Sequence, residues 1–366
     1  MRPTIHELLK GRDNNFNLIR FLAAVAVIYD HSYMVPNGEP VPWLLPYIMS
    51  SDFGWYAVNV FFILSGFLVT RSWLNLPDII SFAVSRCLRV FPALSVGAFM
   101  VAFVIGPIVC LCLYLDYLHD SRTWLYVPMT ASLISPSEIL PFVFETLPAK
   151  AIVNSPLWTL RYEALSYIVL GGLGVAGLFA TRRRALATMV VFFAAYLTIT
   201  LLTGWRGQSI FLDSILRFWL CFFLGASVSV LSDRLSLRAS ISALLFLAAA
   251  FAQGTAAYEF ILQIALTYGV FWFALIPGGA IRRFNELGDY SYGLYIFAWP
   301  IQQTAFLLAP NIAPHEMFVL VTPAILIAAA ASWHWVERPA LDSRGAVMGW
   351  VLRHQQRLPN RISPTK

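Results

Sequence analysis

Residues 17–35 read NLIRFLAAVAVIYDHSYMV, and this stretch decides the class of fold. It has the length that a helix needs, about 20 residues, to cross a hydrocarbon layer about 30 Å thick. The backbone has to be helical there, because its N–H and C=O groups find no water to bond in lipid. The stretch has no small-x-small cleavage site and carries Arg20 and His31, which indicates a retained membrane helix and not a signal peptide.

Nine further apolar stretches predict an all-α, polytopic membrane bundle of about ten transmembrane helices. Composition agrees, since 59% of the 366 residues are hydrophobic and 12% are charged, whereas a soluble domain averages about 25% charged residues. A soluble enzyme is thereby excluded. The ten predicted spans are 17–35, 53–70, 89–114, 156–178, 186–203, 211–230, 239–255, 259–277, 290–309 and 317–334.

The distribution of Lys and Arg predicts that both termini face the cytoplasm. In that orientation 19 of the 25 basic residues lie on the inner side, as the positive-inside rule requires, and three (Arg122, Lys150 and Arg206) lie in outer loops. The formal net charge of +6 then reflects orientation and indicates no nucleic-acid partner.

Two domains are predicted, a membrane domain over 1–342 and a basic cytoplasmic tail over 343–366. We expect the tail to be disordered or to lie on the anionic inner leaflet. On the outer side, the polar stretch 116–155 is rich in Pro and aromatic residues, and we expect it to pack over the outer mouth of the bundle.

The first span carries ionisable residues that are costly in lipid. Arg20 and His31 are eleven positions apart, which at about 100° per residue is roughly three turns plus 20°, so both side chains point from one helix face. An Arg at the centre of a span costs roughly 2.5–3.5 kcal/mol, which makes such residues functional candidates. The alternative is that Arg20 extends to the inner headgroups and His31 to the outer interface beside Asp30.

Two more charged sites lie at the predicted membrane boundary. Glu163 belongs to LWTLRYEA, residues 157–164, where burial would require a partner; an aromatic belt that includes Trp158 is the alternative. Arg86 and Arg89 are spaced i, i+3, which places two guanidinium groups on one helix face, suited to phosphates. Ordinary inner-side positive charge explains the same pair.

Six short motifs follow one another along the chain. They are Arg20-x10-His31, G-x3-V-x2-FF-x2-SGFL over 54–68, Arg86-x2-Arg89-x2-Pro92, WTL-x-x-E over 158–163, GDYSYGLY over 288–295 and WVERP over 335–339. In this order they resemble the acyltransferase 3 family of bacterial membrane acyltransferases, over about residues 14–342. Ala298-Trp299-Pro300 stands where many relatives carry a His before the Pro, so that His has no catalytic role here. Some relatives also carry an outer esterase-like domain, and a second outer reaction would here need a partner protein.

The resemblance implies an enzyme of the bacterial inner membrane that transfers an acyl group, usually acetyl, to a hydroxyl of a carbohydrate or lipid-linked saccharide, as in polysaccharide biosynthesis. It implies acyl-CoA (acetyl-CoA) as the donor and no metal. The implied partners are the lipid bilayer, the saccharide acceptor and membrane or glycan-synthesis proteins. A multi-pass transporter of a small solute or acyl-linked substrate is the alternative, although the sequence has no convincing two-half symmetry of the inverted-repeat kind.

The same chemistry suggests roles for individual residues. His31 would take the proton of the acceptor hydroxyl, and Glu163 or Asp30 would orient its imidazole. Arginines at the inner mouth and beside the path of the thioester would contact the donor: Arg86, Arg89, Arg71 and Arg20.

The remaining candidates are substrate contacts and a structural motif. Ser65, Tyr292 and Trp158 are expected to contact substrate, with helix packing as the alternative for the first two. In the WVERP motif, Pro339 is expected to end the last helix, and the charges of Glu337 and Arg338 are expected to pair near the headgroups or the donor.

Overall fold

The computed structural model describes residues 3–9, 13–38, 51–110, 114–133, 139–149, 152–202, 207 and 209–357. Ten long helices in the described residues, α1 to α10, overlap the ten predicted spans, although α3 begins ten residues before the predicted start of its span. They are Phe16–Asn37, Phe53–Asn75, Ile79–Met100, Leu160–Val175, Arg182–Leu202, Ile210–Val230, Ala239–Phe251, Tyr258–Leu275, Ser291–Leu308 and Pro314–Ser332. In the described residues, seven helical stretches are long and apolar enough to cross a membrane, and two of them, Ile79–Val109 and Pro314–His354, continue beyond the ends of α3 and α10. The all-α, polytopic prediction is confirmed.

Two of the helices continue through a proline by way of a π-helical turn. The turn Val101–Ile105 extends α3 into the short helix Gly106–Val109, and the turn Trp333–Glu337 extends α10 into Arg338–Asp342. Pro107 and Pro339 each stand in the first turn of the helix that follows. In a regular α-helix a proline leaves one backbone hydrogen bond unmade and its ring clashes with the preceding turn. The wider π-helical turn before each proline avoids both problems. The expectation that Pro339 ends the last helix is therefore wrong.

Helices α2 and α6 approach each other so closely that their backbones touch. A Cβ atom added to Gly66 would lie 1.9 Å from the Phe222 carbonyl oxygen, and one added to Gly225 would lie 2.0 Å from that of Ile63. Only glycine fits at such contacts, as is common where membrane helices pack through small residues. This contact holds α2 in place and turns the neighbouring Ser65 towards the interior of the bundle, where it lines a cavity.

Several basic connections meet at one end of the bundle, which we call the basic end. Arg182, the first residue of α5, pairs with Asp233, after α6, at 2.6 Å. Arg282, between α8 and α9, pairs with Asp13, before α1. These contacts gather four connections that the positive-inside rule assigns to one side. Seven basic residues used for that assignment lie outside the described residues: Arg2, Lys10, Arg12, Lys150, Arg206, Arg361 and Lys366.

At the opposite end, the described part of the stretch 116–155 packs on α9. The Trp299 indole donates to the Ile152 carbonyl at 2.8 Å, and the Asn154 amide donates to that of Ile296 at 2.9 Å. Leu140, Val143 and Phe144 are buried there. The prediction that this stretch covers the bundle is confirmed for its residues 139–149 and 152–154.

The predicted tail is a helix over most of its length. Arg344–Arg357 is helical, and the Arg344 guanidinium donates to the Ser81 hydroxyl, near the start of α3, at 2.6 Å. The expectation of disorder is therefore wrong for 344–357, because the helix is anchored to the bundle. Residues 358–366 lie outside the described part of the chain.

Candidate active site

A cavity between five helices holds most of the residues that the motifs single out. Its walls come from α1, α2, α3, α4 and α9, and we call it the central cavity. The polar side chains that line it are Arg20, Ser65, Arg86, Arg89, Thr159, Glu163, Tyr167, Ser291, Tyr292 and Tyr295. Five of the six motifs therefore contribute to one space.

A buried network of four charges forms one wall of the cavity. Asp289 Oδ2 lies 2.8 Å from Arg20 Nη1 and 2.6 Å from Arg89 Nη2. Arg89 Nη1 also lies 3.2 Å from Glu337 Oε2. Two cations and two carboxylates cancel one another. Arg20 and Arg89 line the cavity as predicted, but their charges are already paired with carboxylates, which the sequence analysis did not foresee.

Asp289, in the connection before α9, is the centre of this network. Burial by itself would raise the pKa of its carboxyl, but the two guanidinium groups outweigh burial and lower that pKa to about 2. Sequence reasoning missed Asp289, although it lies in the GDYSYGLY motif, directly before a predicted span. It also missed the partner of Glu337, which is 2% exposed and pairs with Arg89.

Arg86 differs from its neighbour Arg89. It has no ion pair among the described residues, its Nε atom is buried without a hydrogen-bond partner, and its guanidinium lies 5.7 Å from the centre of the Tyr167 ring. Arg86 therefore brings a net positive charge to the cavity. Arg71, the fourth predicted donor contact, lies in the last turns of α2 and is not among the residues that line this space.

Glu163 forms a compact cluster with Ser65 and Tyr167. The Ser65 hydroxyl donates to Glu163 Oε1 at 3.3 Å and lies 3.2 Å from the Tyr167 hydroxyl. Tyr167 donates to the same carboxylate oxygen. The expectation that a buried Glu163 needs a partner is confirmed. Tyr167 is one helical turn beyond Glu163 on α4, so the i, i+4 spacing was the signal in the sequence.

His31 lies towards the opposite end, on the predicted face of α1. Arg20 contacts Asp289, and the His31 ring meets the Trp299 ring edge-on at 4.9 Å between centres. Both partners belong to α9 or its entry, so the shared face is confirmed. His31 is buried, at 8% exposure, and its Nδ1 atom has no hydrogen-bond partner among the described residues.

Neither predicted carboxylate orients the imidazole in this structure. Glu163 bonds to Ser65 and Tyr167 because α4 faces α2 at this level. Asp30 lies against the first turn of α2, where a Cβ atom on Gly54 would be 2.7 Å from Asp30 Oδ2. The imidazole of His31 instead packs against Trp299. The prediction of a carboxylate partner for His31 is therefore wrong.

The predicted substrate contacts have different surroundings. Ser65 and Tyr292 line the central cavity, and the Tyr292 hydroxyl donates to the Val90 carbonyl at 2.9 Å. Trp158 packs edge-on against Tyr162 and beside Phe218, outside the residues that line the cavity. In the described residues, no group of three or more His, Cys, Asp or Glu side chains is placed to hold a metal ion.

Comparison with known proteins agrees with the motifs. The acyltransferase domain model of the acyltransferase 3 family matches residues 13–334. The chain is 27% identical to an O-acetyl transferase of Shigella phage Sf6, over 89% of this chain and 96% of the phage protein. It is 26% identical to Nodulation protein 10 of Rhizobium leguminosarum bv. viciae, over 94% and 97% of the two chains. No solved structure matches it significantly. With ten helices that overlap the predicted spans and a family match over most of its length, the chain belongs to the acyltransferase 3 family and is an integral membrane acyltransferase.

Proposed function

We propose that the chain transfers an acyl group, most often acetyl, from acyl-CoA to a hydroxyl of a carbohydrate or lipid-linked saccharide. The observation that carries the proposal is the central cavity, which combines an unpaired guanidinium with a carboxylate and two hydroxyl groups. The similarity to a phage protein named O-acetyl transferase supports oxygen as the acceptor atom and acetyl as the group.

The donor binds with its phosphates at Arg86. Phosphate forms its strongest contacts with guanidinium groups, and Arg86, unlike Arg89, forms no ion pair with a carboxylate among the described residues. Arg20 and Arg89 shape the wall beside it, and Arg71 is available nearer the end of α2. The thioester then lies beside the Ser65–Glu163 pair, which lines the same cavity.

His31 acts as the general base towards the acceptor. Its Nδ1 atom has no partner among the described residues, so one ring nitrogen is available to the acceptor hydroxyl. Trp299, which it contacts, is one helical turn along α9 from the cavity residue Tyr295, an advance of about 6 Å along the axis. The acceptor therefore approaches from the end opposite the basic end.

This arrangement assigns the donor and the acceptor to opposite sides of the membrane. The basic end faces the cytoplasm, where acyl-CoA is available, and the chain lies in the bacterial inner membrane with both termini inside. The saccharide, lipid-linked or part of a growing glycan, is bound from the other side, with glycan-synthesis proteins as neighbours. The gathering of basic connections at one end supports this orientation.

The test is an O-acylation assay in membranes. Membranes that carry the wild type, His31→Ala or His315→Ala are incubated with radiolabelled acetyl-CoA and the glycan fraction of the host. His315 is exposed and serves as the matched control. We expect alkali-labile label on a glycan with the wild type and the control and none with His31→Ala. Equal labelling by all three would remove His31 from the mechanism, and no labelling with an acceptor pool known to be competent would refute the acyl transfer itself.

A further inference from the structure

Ser65 hydrogen-bonds to a carboxylate of a different helix, whereas other serines of the bundle bond within their own segment. Ser291 and Ser332 donate to the carboxylates of Asp289 and Glu337, two and five residues away in the chain. The hydroxyls of Ser32, Ser85, Ser166 and Ser227 each donate to the carbonyl four residues earlier in their own helix, at 2.7 to 2.8 Å. Serine hydroxyls in helices commonly form this hydrogen bond to the carbonyl of the preceding turn. Ser65 donates across helices to the Glu163 carboxylate, at 3.3 Å. A hydroxyl held against a carboxylate is an arrangement of nucleophile and base.

The surroundings of Ser65 suit a nucleophile. The adjacent Gly66 is locked against the α6 backbone, so the position of Ser65 is fixed by packing. Tyr167 bonds to the same carboxylate oxygen and lies 3.2 Å from the Ser65 hydroxyl, which orients Glu163. Arg86 covers the Tyr167 ring from the donor side of the cavity. Ser65 is half-buried and lines the cavity, so a thioester bound there can reach it.

We propose that Ser65 accepts the acyl group before the acceptor does, so that the reaction passes through an acyl-Ser65 ester. This inference rests on the proposed acyl-CoA donor. Glu163 takes the proton of the Ser65 hydroxyl while Oγ bonds to the carbonyl carbon of the thioester. The C–S bond then breaks, and CoA leaves as a thiolate that takes a proton from water.

The second half-reaction restores the enzyme. The acceptor hydroxyl gives its proton to His31, which returns it to water, and the acceptor oxygen bonds to the acyl carbon. The bond between that carbon and Ser65 Oγ breaks, and Oγ takes back its proton from Glu163. His31 has no part in the first half-reaction, which agrees with its absence from the residues that line the cavity.

A relay of this kind also separates the two substrates. CoA leaves before the acceptor is acylated, so the long donor and the saccharide need not occupy the cavity together. Direct transfer would require CoA and the acceptor to be bound at the same time.

The experiment measures the first half-reaction alone. Purified full-length protein in lipid nanodiscs is mixed with radiolabelled acetyl-CoA without acceptor, quenched in acid and analysed for released CoA and protein-bound label. We expect a burst of about one CoA per chain and acetyl mapped to Ser65 by peptide mass spectrometry. Ser65→Ala should lose the burst and the label, and the matched control Ser227→Ala should keep both.

Two further variants make the result decisive. Ser65→Cys should retain the label as a thioester that neutral hydroxylamine releases, which also shows that a change at this position still folds. His31→Ala should keep the burst and the label but transfer nothing to acceptor. Acetyl mapped to Tyr167 or His31 overturns the assignment to Ser65.

The outcomes also distinguish this inference from the proposed function. Transfer to glycan by both the wild type and Ser65→Ala, without protein-bound label, overturns the relay and leaves O-acyl transfer intact. Neither CoA release nor glycan labelling, with an acceptor pool known to be competent, overturns both.

Discussion

Replacing Asp289 by Asn would remove the carboxylate that two guanidinium groups share. Asp289 Oδ2 lies 2.8 Å from Arg20 and 2.6 Å from Arg89. The substitution removes one of the two carboxyl groups that face these guanidinium groups, so one positive charge inside the bundle loses its partner. The exposed fractions of the Asp289 and Arg89 side chains are 12% and 14%, so water screens that charge only weakly.

The magnitude follows from the geometry of the network. Removing one partner of a buried ion pair typically costs about 3–5 kcal/mol. Two features reduce the cost here, because Arg89 keeps Glu337 at 3.2 Å and the Arg20 side chain is 23% exposed. We therefore expect Asp289→Asn to lower the free energy of unfolding by about 3 kcal/mol, the lower end of that range.

The assay is equilibrium unfolding by denaturant in detergent micelles, with Asp233→Asn as the control. Asp233 also pairs with an arginine, Arg182, at 2.6 Å, but the two side chains are 53% and 30% exposed. An exposed pair contributes no more than about 1 kcal/mol. If Asp289→Asn loses no more stability than Asp233→Asn, the network is not the buried, mutually compensating unit inferred from the distances.

The same substitution has a defined pH dependence. The pKa of Asp289 is lowered to about 2 in the fold, below its value of about 3.9 in an unfolded chain. The stabilising contribution is therefore fully present above about pH 4 and is lost only as the pH falls through the folded pKa. Because Glu337 shares Arg89 with Asp289, the comparison is made in a Glu337→Gln background. There the difference in stability between the chains with Asp289 and with Asn at this position should stay constant from pH 5 to 8. A difference that decays within that range would contradict the assigned ionisation.

Three further substitutions test the cavity and the packing behind it. Arg86→Gln should raise the KM for acetyl-CoA by about tenfold or more, since a hydrogen bond to a charged group contributes about 1.5–3 kcal/mol. Substitution of the exposed Arg183 by Gln is the control and should leave the KM unchanged. Equal KM values for the two variants would exclude Arg86 from donor binding. Glu163→Gln should lower kcat by at least about a hundredfold in the glycan-labelling assay, and a variant that keeps half of the wild-type kcat would remove Glu163 as a base. Gly66→Ala should lower the free energy of unfolding by about 3 kcal/mol in denaturant titration. The added Cβ would lie 1.9 Å from the Phe222 carbonyl oxygen, and the α6 backbone cannot move away without disturbing the helix. Gly172→Ala, which meets nothing within 4 Å, is its control, and equal unfolding free energies for the two would refute the close approach of α2 and α6.

The candidate site was only partly predictable. Glu163, Arg86 and Ser65 stand out in the sequence as residues whose charge or setting is unusual for a membrane span, and the structure places all three in one cavity. Their partners did not stand out. Ser65 and Glu163 are 98 residues apart, and Arg89 and Asp289 are 200 apart, so no local spacing relates them. The lone exception is Tyr167, which one turn of α4 brings to Glu163.

By itself, the sequence determined the helices, their approximate ends and the shared face of Arg20 and His31. These follow from local rules, since lipid requires each span to satisfy its own backbone hydrogen bonds and the helical repeat sets which side chains share a face. Only the tertiary structure decided which charges are neutralised. Arg86 and Arg89 are equivalent in the sequence, one turn apart on α3. Arg89 meets Asp289 and Glu337 because α9 and the extension of α10 converge on it, while Arg86 faces the cavity, and the electrostatic energy of each depends on those neighbours and not on its own segment.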